Sequence, residues 1–570
     1  MKLIEKEIGT LFIGTVSKLY GDVEDLKEVQ IQATKEEKFG DYQTNFAMIN
    51  SKILKSNPRQ IAENIKENFV ANKIINKIEI AGPGFINIFL NKEYLAEKIE
   101  KIGNEDFDFS FLNREGQVII DYSSPNLAKR MHIGHLRSTV IGDSIKRIYK
   151  YLGYNVIGDN HIGDWGTPFG KLMVAYERWL DKENYKKNPV DELERIYVKF
   201  ANEVELDPSL EDLAREEIAK TQAGDLDKIK LWKEILTATL EENEKLYKKM
   251  DISFDTYYGE SHYNEMMPKV IDELKEKKLV RVEEGATFVF FDESENLYPC
   301  IVQKKDGAFL YSTSDLATIQ FKRNTYNINK MIYVTDERQQ DHFRQVFKIS
   351  DMLGWTDEKV HIWFGIMRFA DGIFSSRKGN VIKLSDLLDE AISRAYNTVN
   401  EKNPTLSQEE KENIAEVVGI GAVKYADLSQ NRQSAVVFEW DKALAFEGNT
   451  APYLQYAYAR IQSMLRKAKE DNIELNGKIQ LEDSLEKNLA LALLEFPNAI
   501  LNSASTYKPN LIADYLFETA KKFNTFYNNL PILRAETEDL IKSRLILSDK
   551  VAKVLKEGLN LLGIKTVDRM

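Results

Sequence analysis

Gly116-Gln-Val-Ile-Ile-Asp-Tyr-Ser-Ser-Pro-Asn-Leu-Ala-Lys-Arg-Met-His-Ile-Gly-His135 is the stretch on which the fold turns. Val118–Asp121 reads as a short apolar strand, Tyr122–Met131 as a loop, and His132 to Leu152 as a helix. Asn155–Asp159 reads as the next strand. A strand–loop–helix–strand unit points to a parallel α/β sheet. In such a sheet ligands bind beyond the carboxyl ends of strands, where helix N-termini point N–H groups at anions. Pro125 and Asn126 suit the turn, and Gly134 removes a side chain where a nucleotide must come close. His132 and His135, at i and i+3, should share one helical face and donate hydrogen bonds to phosphate oxygens. Lys129 and Arg130 add positive charge.

Outward from this stretch, residues 1–110 read as a small α+β module. Helical periodicity runs over Lys2–Tyr20 and Pro58–Asn72, and strand-like alternation over Lys77–Leu90. The segment from about Lys182 to Met250 is helical and charge-rich, an insertion with a solvated face. Short strands at Thr287–Phe291, Ile301–Val302 and Met331–Val334 suggest that the α/β domain resumes after it. From about Ile382 the chain reads as helical, punctuated by Gly448-Asn-Thr-Ala-Pro452 before a long amphipathic helix, Tyr453–Lys469. The expected fold is therefore multidomain α/β. A small α+β N-terminal domain (1–110) precedes a Rossmann-like parallel-sheet domain (111–440) with a helical insertion (about 182–250). An all-α C-terminal helical bundle (441–570) follows.

The 570 residues fit about three to four domains, and 43% hydrophobic with 29% charged residues allows each an ordinary core. One cysteine, Cys300, excludes a disulfide framework and any cysteine-based zinc or iron–sulfur site. No apolar run approaches the ~18 residues of a membrane span. Met1–Thr10 does not read as a signal peptide, so a soluble cytoplasmic protein is expected. The net charge of −12 argues against a sequence-blind basic coat for nucleic acid. Most of that acidity lies in 111–440, and 441–570 is close to neutral. With a Debye length near 8 Å, distant acids scarcely repel a docked phosphate. A local basic track would still bind RNA, with an affinity that falls steeply as salt rises.

His132-Ile-Gly-His135 resembles the signature of class I aminoacyl-tRNA synthetases and related nucleotidyltransferases. The longer string Asp121-Tyr-Ser-Ser-Pro-Asn-Leu-Ala-Lys, followed by His-Ile-Gly-His-Leu-Arg-Ser-Thr139, closely resembles the arginyl-tRNA synthetases. Further blocks resemble that family: Asn160-His-Ile-Gly-Asp-Trp-Gly-Thr-Pro-Phe-Gly170, Tyr258-Gly-Glu-Ser261, Asp306–Ala317 and Arg338-Gln-Gln-Asp-His-Phe343. The terminal modules are similar in kind to its extra N-terminal domain and its helical anticodon-binding domain. The resemblance implies ATP-dependent activation of L-arginine and its transfer to the 3′-terminal adenosine of cognate arginine tRNA. It also implies Mg²⁺ accompanying ATP, no zinc, adenylate formation that needs bound tRNA, and a monomer.

Carried over residue by residue, the resemblance assigns catalysis to Lys129, His132, His135, Arg377 and Lys378. ATP binding falls to His132, Gly134, His135, Ser375, Ser376, Lys378 and Gly379. The last of these lie in Ile373-Phe-Ser-Ser-Arg-Lys-Gly-Asn380, the place of the family's mobile phosphate loop. Ile373 and Ser376 stand where that loop's lysines are usual, and the resemblance implies that Lys129 supplies the missing charge. Arginine is assigned to Asp121, Ser124, Asn126, Glu260, Tyr311, Asp315 and Gln339. Tyr311 and Asp315 would take the guanidinium, and Asn126 the α-amino or carboxylate end. A guanidinium is planar and wants carboxylates in a matching fork, so a buried pairing site rejects lysine and citrulline without editing. Tyr456, Phe526, Tyr527 and Met570 are candidates for tRNA contact, because single-stranded bases stack on aromatics. A class I synthetase for glutamine, glutamate or cysteine, or a non-catalytic RNA-binding relative, are the rival expectations.

Overall fold

The computed structural model describes residues 1–21, 23, 26–34, 36–127, 129–369 and 382–570. Its centre is a four-stranded sheet built from β1 (Gln117–Asp121), β2 (Asn155–Asp159), β3 (Ile328–Asp336) and β4 (Glu358–Phe364), in the order β4-β3-β1-β2 and parallel throughout. Helix α1 (Ile133–Tyr151) crosses from β1 to β2, and β3 then joins the opposite edge of β1. The strand order reverses there, so a crevice opens at the carboxyl ends of β1 and β3.

The sheet is buried on both faces, which is why β1 reads as an unbroken apolar run. Val118 and Ile120 point into one hydrophobic cluster, and Ile119 points into another. In β3, Ile332 and Val334 join the first cluster, while Met331 and Tyr333 join the second. Each such side chain, fully buried, contributes about 1.5–3 kcal/mol. The second cluster is closed by two helices, α2 (Tyr311–Thr325) and α3 (Gln340–Met352). The first continues without a break into the N-terminal module and the C-terminal bundle.

The N-terminal module is an antiparallel four-stranded sheet with helices Ile4–Tyr20, Pro58–Asn68 and Lys92–Lys101. The alternation expected over Lys77–Leu90 is two strands, Ile75–Ala81 and Phe85–Leu90, folded at Gly82-Pro-Gly84. The module docks on the C-terminal bundle. Tyr42 donates to Glu495 at 2.8 Å, Lys487 pairs with Asp41 at 2.5 Å, and Lys550 caps the carbonyls of Glu100 and Ile102 at 2.8 Å each.

Four helices, Lys182–Lys187, Pro189–Leu206, Ser209–Gln222 and Leu226–Lys249, form the charged insertion. The strands expected at 287–291 and 301–302 do not extend the parallel sheet. Ala286–Val289 and Cys300–Gln303 form a separate antiparallel sheet with Val280–Glu283. Glu284 and Gly285, at φ 49° and 85°, make the tight two-residue turn that joins its first two strands. The almost wholly helical reading after Ile382 does not include one strand. Val436–Phe438 pairs in parallel with Met367–Phe369. Helix Ala451–Glu470 starts where Gly448–Pro452 predicts, with Thr450 accepting from the Tyr453 N–H at 3.2 Å.

Candidate active site

The loop after β1 is held in an uncommon backbone conformation. Ser123 and Ser124 lie at φ 71° and 47°, a region that costs a non-glycine residue about 1–3 kcal/mol. Hydrogen bonds offset that cost. The Ser123 N–H donates to Ser138 Oγ at 2.9 Å, and Ser123 Oγ bonds to Thr139 Oγ1 and the Tyr247 hydroxyl at 2.8 Å each. The Ser124 N–H donates to Asn160 Oδ1 at 3.1 Å. This loop, the start of α1 and the ends of β3 and β4 enclose a cavity of about 600 Å³. Ser124, His132, Gly134, His135 and Gln339 line it.

His132 is not a helical residue sharing a face with His135. It is the N-cap of α1, with φ −125° and ψ 173°. The Gly134 N–H donates to His132 Nδ1 at 3.0 Å, and the His132 N–H donates to His135 Nδ1 at 3.0 Å. Both rings therefore use Nδ1 as an acceptor, which places the proton of each neutral imidazole on Nε2. Burial and then Lys129 lower the pKa of His132. Burial and the neighbouring His132 push His135 down to about 3. At neutral pH the pair presents two N–H donors and no acceptor. Gly134 serves this cap directly: a Cβ there would meet the His132 ring at 2.7 Å.

The next blocks converge beside this cavity. Glu260 is held where the Asn160–Gly170 and Tyr258–Ser261 segments meet. Its N–H donates to the Ile162 carbonyl at 3.1 Å, and Ser261 donates to Asp164 through its N–H (2.8 Å) and Oγ (2.6 Å). Burial raises the Glu260 carboxyl to about 7, with Asp164 and Asp315 adding to the effect against His161. Tyr311 opens α2 and is 73% exposed. Asp315, one turn on, bonds to His342 Nε2 at 2.5 Å.

Asp121, expected among the arginine-binding residues, is already engaged within the protein. It is buried at the end of β1, accepts from Ser124 Oγ at 3.0 Å, and pairs with Lys322 at 3.0 Å. Its carboxylate is occupied beneath the loop that lines the cavity. Lys129 is exposed, and its ammonium lies 4.9 Å from the centre of the Tyr197 ring on the insertion while its charge still acts on His132 in the cavity lining. Asn126 is exposed and bridges to Gly163. Ser375, Ser376, Arg377, Lys378 and Gly379, with Ile373, lie outside the described residues. Among the described residues no group of three or more His, Cys, Asp or Glu could hold a metal ion. Asp336, the acid in the cavity wall, is engaged by Arg338 at 2.6 and 3.2 Å.

Residues 101–440 match the family described as tRNA synthetases class I (R), catalytic domain. Residues 5–90 match the arginyl tRNA synthetase N terminal domain, and 454–570 the DALR anticodon binding domain. The arginine–tRNA ligase of Fusobacterium nucleatum is 63% identical over the whole length of both chains. The chain belongs to the arginyl-tRNA synthetase family. Its fold agrees with the arginyl-tRNA synthetase of Plasmodium falciparum at a TM-score of 0.83 and 29% identity, covering 100% of both chains. The Thermus thermophilus arginyl-tRNA synthetase superposes at 0.84 with 23% identity, covering 99% of this chain and 100% of that one. This class I arginine–tRNA ligase carries no described helix long and apolar enough to cross a membrane.

In the synthetase's C-terminal domain, three of the four candidate tRNA residues converge. Tyr456, Tyr527 and Met570 line one concavity together with Arg460, Arg466 and Arg569. The Arg460 guanidinium lies 4.8 Å from the centre of the Tyr456 ring and 5.3 Å from that of Tyr527. Phe526 is corrected: it is 0% exposed, packed in the bundle core against Phe523, and cannot reach a nucleotide. Alternation of basic and aromatic residues in Lys521–Tyr527 did not distinguish the wet side of the helix from the dry one.

The sequence reading missed the groups that hold the synthetase's site together. Lys322 lies seven residues after Asp315, two helical turns along α2, and bridges Asp121 and Asp159 at 3.0 Å each. That spacing was available in the sequence; its two partners on neighbouring strands were not. Arg137, two residues past His135 on the same helix, is buried. Its Nε donates to Asp427 at 3.0 and 3.2 Å, and its other nitrogens to the Gly365, Arg432 and Ser434 carbonyls. It ties α1 to Gly365 just after β4, to helix Gln408–Leu428 through Asp427, and to the loop that follows that helix through Arg432 and Ser434.

Proposed function

We propose that the cavity at the ends of β1 and β3 takes ATP, and that arginine lies beside it with its guanidinium between Glu260 and Asp315. The arginine carboxylate attacks the α-phosphate of ATP, forming arginyl-adenylate and releasing pyrophosphate. The 3′-terminal adenosine hydroxyl of arginine tRNA then attacks the carbonyl carbon, releasing AMP. Catalysis of this kind is mostly positioning and charge stabilisation.

The Nε2–H groups of His132 and His135 donate to phosphate oxygens as charge develops. Ser124 shapes the loop that receives the substrates, and Asn126 and Gln339 take the α-amino and carboxylate end of arginine. Tyr311 covers the guanidinium. Lys129, Arg377 and Lys378 add positive charge to the phosphates, with Ser375, Ser376 and Gly379 in the loop that closes over them. Mg²⁺ enters with the phosphates of ATP; the acid of the cavity wall is already paired with Arg338. Tyr456, Tyr527 and Met570 bind the anticodon loop of the tRNA. Adenylate formation depends on that bound tRNA, and the enzyme works as a cytoplasmic monomer.

The observation that carries this reading is the reciprocal cap that makes both imidazoles Nε2–H donors. His135→Asn tests it, because the asparagine Oδ1 can still accept the His132 N–H while the Nε2 donor is lost. ATP–pyrophosphate exchange with arginine and tRNA should fall about 10²–10³-fold in kcat, with the folded state intact. Unchanged exchange would overturn the assignment. Lys129→Ala should lower aminoacylation by orders of magnitude while leaving tRNA affinity nearly unchanged.

A further inference from the structure

We propose that His342 is a positioning residue for arginine selection: its Nε2–H bond to Asp315 Oδ2 orients the carboxylate so that Oδ1 faces the guanidinium. The proposal rests on the reading above that Asp315 pairs with the substrate guanidinium.

A guanidinium presents its N–H groups in a fixed plane, so a carboxylate partner must hold its own plane within about 10–20°. Asp315 stands in the second turn of α2 with two free side-chain torsions of its own. The bond that removes this freedom comes from another helix. His342 lies in the first turn of α3 and reaches Asp315 at 2.5 Å, with both side chains less than a third exposed.

His342 is itself well supported. Phe343, the next residue, packs on Tyr333 of β3 at 5.1 Å and stacks on His361 of β4 at 4.6 Å. His361 bonds in turn to Thr335 at 2.8 Å, at the cavity wall. The α3 backbone that carries His342 follows directly from Gln339, which also lines the cavity. One rigid corner of the sheet thus fixes both the wall of the nucleotide cavity and the carboxylate of the amino-acid subsite. Burial alone would lower the His342 pKa, and the bond and charge of Asp315 outweigh it and raise it. The imidazole accordingly keeps its Nε2 proton on Asp315.

The test is the arginine KM and kcat of His342→Ala, His342→Gln and His342→Asn, beside Asp315→Ala and the double variant. A glutamine amide nitrogen can occupy the place of Nε2, whereas an asparagine amide is too short. His342→Ala and His342→Asn should raise the arginine KM about tenfold or more, with the ATP KM and kcat at saturating arginine changed far less. His342→Gln should recover most of the loss. In the Asp315→Ala background, His342→Ala should add little. An arginine KM that is raised by Asp315→Ala but not by His342→Ala overturns the proposal. So do equal effects of Gln and Asn, or effects that multiply in the double variant. An arginine KM indifferent to Asp315→Ala instead overturns the reading on which the proposal stands.

Discussion

The Lys322 ammonium lies 3.0 Å from Asp121 Oδ2, and the same nitrogen lies 3.0 Å from Asp159 Oδ2. One buried lysine thereby joins α2, which carries Tyr311 and Asp315, to the ends of β1 and β2. Asp121 passes the constraint on through Ser124 Oγ at 3.0 Å to the left-handed loop that lines the cavity. The Lys322 side chain is 2% exposed, and its two aspartates raise its pKa well above the ordinary lysine value although burial opposes them.

Lys322→Met should therefore destabilise the enzyme by about 3–5 kcal/mol, because it strands two buried carboxylates. Chemical denaturation would show this as a lower midpoint at an unchanged slope. An unchanged midpoint would mean that the two aspartates find other partners.

Arginine binding should depend on pH through Glu260. Burial first, then the charges of Asp164 and Asp315, raise its carboxyl to about 7. The group is mostly neutral at pH 6 and mostly ionised at pH 8, and only the ionised form attracts a guanidinium strongly. The arginine KM should fall as pH rises from 6 to 8, by about tenfold at most. Glu260→Gln should give a high and flat KM across that range. A wild-type KM that is flat between pH 6 and 8 would remove Glu260 from the subsite.

A second carboxyl pair makes the domain interface pH-sensitive. Glu5, in the first turn of the N-terminal helix, meets Glu495 of the bundle through Asn498, whose Nδ2 donates to both. Burial and then the Glu495 charge raise Glu5 from 4.5 to about 8. Between those two values the folded state keeps a proton that the unfolded chain has released. Stability must then fall as pH rises through that window, and the loss is complete above about pH 8. Glu5→Gln should match the wild type near pH 4 and exceed it by up to about 4–5 kcal/mol at pH 9. Unfolding midpoints at the two pH values decide this, and equal wild-type and variant midpoints at pH 9 would refute it.

Phe526 and Tyr527 are adjacent and should separate cleanly. Phe526→Ala removes a fully buried ring and should cost about 3–5 kcal/mol of stability. Tyr527→Ala opens the face of a ring that is 37% exposed and lies near the Arg460 guanidinium. It should raise the tRNA KM by roughly five- to hundredfold with little change in unfolding midpoint. Loss of stability in Tyr527→Ala without a tRNA effect would return that ring to the core.

Part of the site was legible in the chain because its signals are local. The run Val118–Asp121, the turn residues after it and the His132-Ile-Gly-His135 string fix a strand, a loop and a helix start within one short stretch. The strands expected at Thr287–Phe291 and Ile301–Val302 are present but lie in a separate antiparallel sheet, because alternation does not reveal a strand's partner. His132 was read as helical for a related reason. A cap differs from a first helical residue only in its backbone angles, which hydrophobic spacing does not report.

The family and the parallel-sheet core were readable from the chain alone, since each rests on short runs whose chemistry and spacing act locally. Tertiary structure settled which of the candidate residues are free to act. It placed Asp121 under Lys322, Phe526 in the core and His342 against Asp315, across separations of 201 and 27 residues for the two polar pairs. Contacts of that reach depend on how helices pack on a sheet, where a rotation of one helix exchanges a buried face for an exposed one.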